Sequence, residues 1–215
     1  MYFTLLSIFD EINANLAELE TLMFNNWLTS TNSETKTSLD EIANYKNGLA
    51  MQKFNPIDFK NSLPVLKIKE LNQGHTDENS DRCSIDISDD IKIKTGDIIF
   101  SWSGTLLLDI WSGEDAGLNQ HLFKVTSNKF SKWFVFEWTK YYLREFQNIA
   151  KSKATTMGHI KRTELKKSMA IIPTELEMNK LNRILNPIFE KQIITRKETN
   201  ELVKIKNKLL SRLLN

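Results

Sequence analysis

Thr95-Gly96-Asp97-Ile98-Ile99-Phe100-Ser101-Trp102-Ser103-Gly104-Thr105 is a glycine turn, a short apolar run and a second, polar turn. Ile91 and Ile93 before the first turn, and Ile98 to Phe100 after it, predict strands joined by that turn. Leu122-Phe-Lys-Val125 predicts another strand, and 130–149 an aromatic-rich helix with Trp133, Phe136 (or Phe134), Tyr141 and Phe146 in the core. All seven glycines, from Gly48 to Gly158, fall in this middle stretch, so the tight turns are there. Its expected class is α+β.

Outward from it, both ends read as helices. Leu5, Phe9, Ile12, Leu16, Leu19 and Met23 recur at alternating spacings of four and three, which keeps them on one helical face ending near Trp27–Leu28. The Ser/Thr-rich stretch 29–38 then reads as a linker or turn. At the other end Thr174-Glu-Leu-Glu177 is a capping box, with Pro173 just before it. Leu181, Leu185 and Ile188, then Leu202, Ile205, Leu209 and Leu213, follow at roughly heptad spacing. Gln192, Thr195 and Thr199 make the seam polar in between, where they can set register, and Pro187 predicts a kink. The first helix carries Asp10, Glu11, Glu18 and Glu20 and no Lys or Arg, whereas 180–215 hold nine basic residues against three glutamates. The expected architecture is thus a globular domain at 31–173 flanked by two long antiparallel amphipathic helices, 1–30 and 174–215, a coiled-coil spacer. The last helix would run ~60 Å at ~1.5 Å per residue, longer than the first can cover, leaving a surface for a partner.

Composition excludes several classes. A charged fraction of 26% with 40% apolar residues is ordinary for a globular chain. No apolar run approaches the ~18 residues of a membrane span, and Met1–Ile8 lacks a basic start and meets Asp10 and Glu11 at once, unlike a secretory signal. A cytoplasmic protein is expected. Cys83 is the sole cysteine, so neither an internal disulfide nor a cysteine-based zinc site is expected. No catalytic centre is expected either. Asn186-Pro-Ile-Phe189 is only a near-match to a methyltransferase motif, without a second proline or a preceding glycine-rich loop, and Glu164-Leu-Lys166 with Asp97 is a weak imitation of a nuclease site.

The net charge of +2 says little, but its distribution says more. In 151–167, Lys151, Lys153, Lys161, Arg162, Lys166 and Lys167 face Glu164 alone, a density that suits phosphates or, equally, a solvated surface. Thr155, Thr156 and His159 are interleaved as short polar groups for phosphates or base edges. The stretch 156–165 reads as a loop entering a helix, whose free amides favour an anion. Ser101, Trp102, Ser103 and Thr105 form the polar turn after the central strand, with Trp102 either in the core or stacked on sugar or base. Asn119, Gln120 and His121 carry suitable groups for base edges, or else satisfy the backbone of a turn. Lys53 is a weaker phosphate candidate.

Three stretches resemble the specificity subunit of type I restriction–modification enzymes. They are Gly96 to Thr105 with Leu118-Asn-Gln-His-Leu-Phe-Lys-Val125; Ala154-Thr-Thr-Met-Gly-His-Ile-Lys-Arg162 with Leu165 and Ile171-Ile-Pro173; and Ile12 to Leu19 leading to Phe24-Asn-Asn-Trp27. The resemblance implies a target-recognition domain that reads one half of a split site in double-stranded DNA. It also implies spacer helices that dock methyltransferase subunits, which bind S-adenosylmethionine, and later a restriction/translocase subunit. No cofactor is expected on this chain itself. Only one recognition domain is present, so the resemblance is to a half-length form, and a homodimer through the C-terminal helix would restore two.

Overall fold

The computed structural model describes residues 2–152 and 158–213. Helix α1 (Tyr2–Ser30) leads into a short strand β1 (Lys36–Ser38), a turn of helix α2 (Leu39–Ile42) and β2 (Asn44–Asn47). Then come β3 (Ser62–Leu66), α3 (Ile68–Gln73), β4 (Arg82–Ser84), β5 (Lys92–Ile93), β6 (Ile98–Ser101), β7 (Leu108–Ile110), β8 (Ala116–Leu118) and β9 (Leu122–Thr126). The chain closes with α4 (Lys132–Ser152), α5 (Arg162–Lys167), β10 (Met169–Ile171) and α6 (Glu175–Leu213).

One sheet, in order β2-β9-β6-β7, is antiparallel throughout, and a second, β4-β3-β8-β5, contains one parallel pair, β3 with β8. Side chains alternate along a strand, and β6 uses both faces. Ile98 and Phe100 enter an aromatic core with α4 and α6, whereas Ile99 enters a second core shared with the other sheet. In β9, Phe123 and Val125 join the first core and Leu122 the second. The first sheet is therefore buried on both faces, which is why its strands read as continuous apolar runs.

The expected α+β fold with flanking helices is present, with local corrections. In α4 the buried row passes through Trp138, Phe146 and Ala150, steps of four or eight on one face. Tyr141 falls off that row and is exposed, while Tyr142 reaches the Met169 backbone through its hydroxyl. The Ser/Thr-rich linker ends as β1, which pairs antiparallel with β10 from the far end of the domain. Helix α6 continues without interruption across Pro187.

Helix α1 shows the largest departure. Its covered face carries Glu20, Phe24 and Trp27, whereas Leu5, Ile8, Ile12, Leu19 and Leu22 are exposed. Its packing is decided by what α6 presents. Gln192 of α6 is buried and donates its side-chain amide to the Glu20 side chain, so polar residues meet inside the seam; of the expected stripe Leu5, Ile12 and Leu19 are exposed, whereas Phe9 and Leu16 are half-buried and Met23 packs on the first core. The two helices run antiparallel: Trp27 bonds Glu177 near the start of α6, and Asp10 and Asn13 share a cleft with Thr199 and Asn200 further along. Beyond that cleft, Ile205, Leu209 and Leu210 of α6 are exposed.

The expected capping box is formed. The Glu177 carboxylate accepts from the Thr174 amide at 2.8 Å, and the Thr174 hydroxyl accepts from the Glu177 amide at 3.3 Å. The same carboxylate also accepts from Thr31 Oγ1 and from the Trp27 indole, and these hydrogen bonds, Thr174's first, hold its pKa down at about 2. Further along α6, Arg196 pairs with Asp109, and the Asn200 amide donates to the backbone oxygens of Gly74 and Ser112. The helix is thereby fastened to β7 and to the loops that follow α3 and β7.

Candidate nucleic-acid interface

The turn after β6 is built to hold Trp102 at the surface. Ser101 is fully buried, and its hydroxyl serves the carbonyls of Ser103 and Thr105, bracing the loop. Gly104 takes φ +68°, a left-handed conformation that other residues avoid, and its amide donates to the carbonyl of Gly158. Gly158 must itself be small, because a Cβ there would lie 2.5 Å from the carbonyl oxygen of Ala150. Trp102 is half-buried. Its ring stacks on Phe123 at 5.8 Å between centroids, and its indole N–H donates to Asn47 Oδ1 at 2.9 Å.

The three candidate stretches converge on this tryptophan. The Trp102 amide donates to the His121 carbonyl, and the Ile160 amide donates to the Trp102 carbonyl. The His121 ring lies 6.2 Å from the indole, and the His159 ring meets it edge-on at 6.3 Å. Ser103 is buried, with its hydroxyl 2.8 Å from His121 Nδ1, and pairs with His159 through an isolated bridge. Residues far apart in sequence thus make one surface: Trp102, His121 and His159 at the centre, Gln120 beside them, Lys161 exposed on one side. Thr105 and Lys151 line an adjoining cleft of about 360 Å³.

Some candidates are occupied by the fold. Asn119 is buried, and its Oδ1 accepts the His121 amide, closing the turn. Arg162 donates to the Tyr45 carbonyl at 2.7 Å and lies over the Phe123 ring at 5.4 Å, so much of its guanidinium is tied to the scaffold. Helix α5 has six residues, too short for its amides to make a substantial anion site. Lys153, Thr155 and Thr156 lie outside the described residues. Asp97 is paired with Lys124 at 2.8 Å, and Phe189 of the Asn186–Phe189 stretch packs on Phe136 in the core. Among the described residues, no group of three or more His, Cys, Asp or Glu side chains could hold a metal ion, and no helix is long and apolar enough to cross a membrane.

A neighbouring groove was not foreseen. It has a volume of about 660 Å³ and is lined by Gln52, Asn55, Lys67, Lys69 and Arg82 together with Asn119–His121. The parallel pairing of β3 with β8 brings these segments together, and a sequence carries no local mark of that pairing.

A model of the type I restriction modification DNA specificity domain matches residues 32–204. The chain belongs to this family. It is 26% identical over 163 residues to the type I restriction enzyme EcoBI specificity subunit of Escherichia coli, covering 75% of this chain and 33% of the relative. It is 28% identical over 168 residues to the type I restriction enzyme MjaIX specificity subunit of Methanocaldococcus jannaschii, covering 74% and 38%. Among solved structures, the type I restriction-modification system S subunit from M. genitalium superposes with a TM-score of 0.51 at 15% identity, over 99% of this chain and 55% of that one. That likeness concerns the fold. The chain spans little more than a third of the curated relatives it matches, and about half of the solved one.

Proposed function

We propose that this chain is the sequence-reading component of a type I restriction–modification complex, without a catalytic centre of its own, working in the cytoplasm. The observation that carries this reading is the convergence of 101–105, 119–121 and 158–162 around a half-exposed tryptophan, with Lys151 and Lys161 at the rim. Aromatic faces, amides and exposed cations on one surface suit base contacts flanked by phosphate contacts. In this reading the domain at 31–173 reads one half of a split double-stranded site. Methyltransferase subunits, which carry S-adenosylmethionine, and the restriction/translocase subunit then join through the helices.

The exposed apolar residues of α1 and of the distal part of α6 support a docking role for the helix pair, and a homodimer would supply the second reading domain. The same exposed residues also suit a second reading, in which the chain docks methyltransferase subunits without reading DNA. Co-expression with the methyltransferase subunit, followed by mapping of methylated positions in genomic DNA, separates the two. A symmetric split motif supports reading by a homodimer. Methylation that does not depend on Lys161 or Trp102 would overturn the reading role, and a strict monomer by light scattering at tens of micromolar, with and without methyltransferase, would overturn the dimer.

A further inference from the structure

Asn55, on the groove beside the candidate interface, begins a loop, residues 54–61, with an unusual tip next to Arg82 of the same groove. Ile57 is 87% exposed and Phe59 72%, the two most exposed large apolar side chains among the described residues. A single exposed apolar residue is unremarkable. Here, however, the loop is braced in a shape that keeps them out. The Asp58 carboxylate accepts from the Asn61 amide at 2.8 Å and from Asn61 Nδ2 at 3.0 Å. The Ser62 hydroxyl donates to the Phe59 carbonyl at 2.6 Å. Arg82 lies over the Phe59 ring at 4.4 Å and donates to the Ser62 carbonyl and hydroxyl, both at 2.7 Å. Lys53 and Lys60 are exposed on either side of the tip.

The groove itself offers carboxamides: Gln52 and Asn55 from the loop side, Gln120 from the turn before β9. A carboxamide has one donor and one acceptor side by side, the match for N7 and N6 of adenine in the major groove. The thymine of the same pair adds a methyl group to that edge, and an aliphatic side chain is its complement.

We propose that this loop and groove form a reader of A·T pairs from the major groove, with Gln52, Asn55 and Gln120 addressing adenine and Ile57 the neighbouring thymine methyl. The proposal rests on the DNA-reading role above. It adds 52–60, which lies outside the stretches that carry the family resemblance, to Gln120, which lies within one of them, and leaves Lys53 and Lys60 for the flanking phosphates.

The test uses the full chain together with its methyltransferase subunit. A duplex is selected from a randomised library, and each thymine in it is then replaced in turn by deoxyuridine and each adenine by 7-deazaadenine. At one thymine or more, loss of the methyl should weaken binding roughly fourfold, the worth of one buried carbon, and Ile57→Ala should bind the thymine and uracil duplexes alike. Gln52→Ala, Asn55→Ala or Gln120→Ala should likewise abolish the penalty of 7-deazaadenine at one adenine. Ile57 is exposed, so its replacement should leave the unfolding midpoint unchanged. A selected motif in which no thymine methyl matters, or an Ile57→Ala chain that keeps the whole uracil penalty, overturns the A·T reader while DNA reading stands. Failure to select or bind any duplex at low salt overturns both.

Discussion

Glu20 is an acidic side chain buried in the contact between α1 and α6, and replacing it with glutamine should stabilise the protein at neutral pH. Glu20 is 1% exposed, with one oxygen accepting from Gln192 and the other, Oε1, without a hydrogen-bond partner. Burial is the largest influence on it and the buried Glu137 of α4 the next. Against them act Gln192, Lys140 and Arg196, and the balance raises its pKa from 4.5 to about 8. A raised pKa means that the folded state prefers the protonated acid. The favourable contribution is therefore complete below pH 4.5 and is lost as pH rises through 8. At pH 7 the loss spans the 2.5 units above 4.5, and at ~1.4 kcal/mol per unit this sets an upper bound of about 3 kcal/mol.

Glutamine keeps the shape and an acceptor for Gln192, and cannot ionise in either the folded or the unfolded state. Urea unfolding of both proteins at pH 5, 6, 7 and 8 reads this contribution together with its coupling to Glu137, because titrating groups remote from Glu20 cancel in the difference. Glu20→Gln should match the parent at pH 5 to within about 1 kcal/mol and exceed it by roughly 2–3 kcal/mol at pH 7 to 8. Parallel stability curves, or a variant weaker than the parent at pH 8, would show that Glu20 is held as a carboxylate by Lys140 and Arg196, and the reasoning would fail.

Two further outcomes follow from the interface. Lys161→Ala should lower the salt dependence of DNA binding by ~0.9 in log–log slope with little change in stability. Arg162→Ala should instead lower the unfolding midpoint, because it removes the bond to the Tyr45 carbonyl and the stack on Phe123; the reverse pattern in titrations over a salt series would exchange their roles. Gly104→Ala should destabilise by about 1–2 kcal/mol, the penalty of a side chain in left-handed backbone. An unchanged denaturation curve would mean that the turn at φ +68° relaxes without penalty.

Features set by neighbouring residues were legible in the sequence. The capping box closes within one turn of α6, and Ile98 to Ser101 form a strand between two glycine-bearing turns. Of the candidate residues, those around Trp102 do come together, because the motif stretches hydrogen-bond to one another. What escaped depends on distant partners. The buried face of α1 was only partly foreseen because it contains Glu20, a residue that hydropathy places outside and that Gln192 meets inside the seam. Tyr141 was misplaced by one position on α4, and one position turns a side chain by about 100°. The groove with Gln52 and Asn55 exists only because β3 lies parallel to β8.

Glu177 has a mechanical consequence. One carboxylate joins the cap of α6, the first residue after α1 and the Trp27 indole, so both helices leave the globular domain tied together at their root. In the homodimer proposed above, the angle at which the pair leaves the domain would fix how many base pairs separate the half-sites. Loosening it would leave each half-site legible and blur the spacing between them, a change of ruler and not of alphabet.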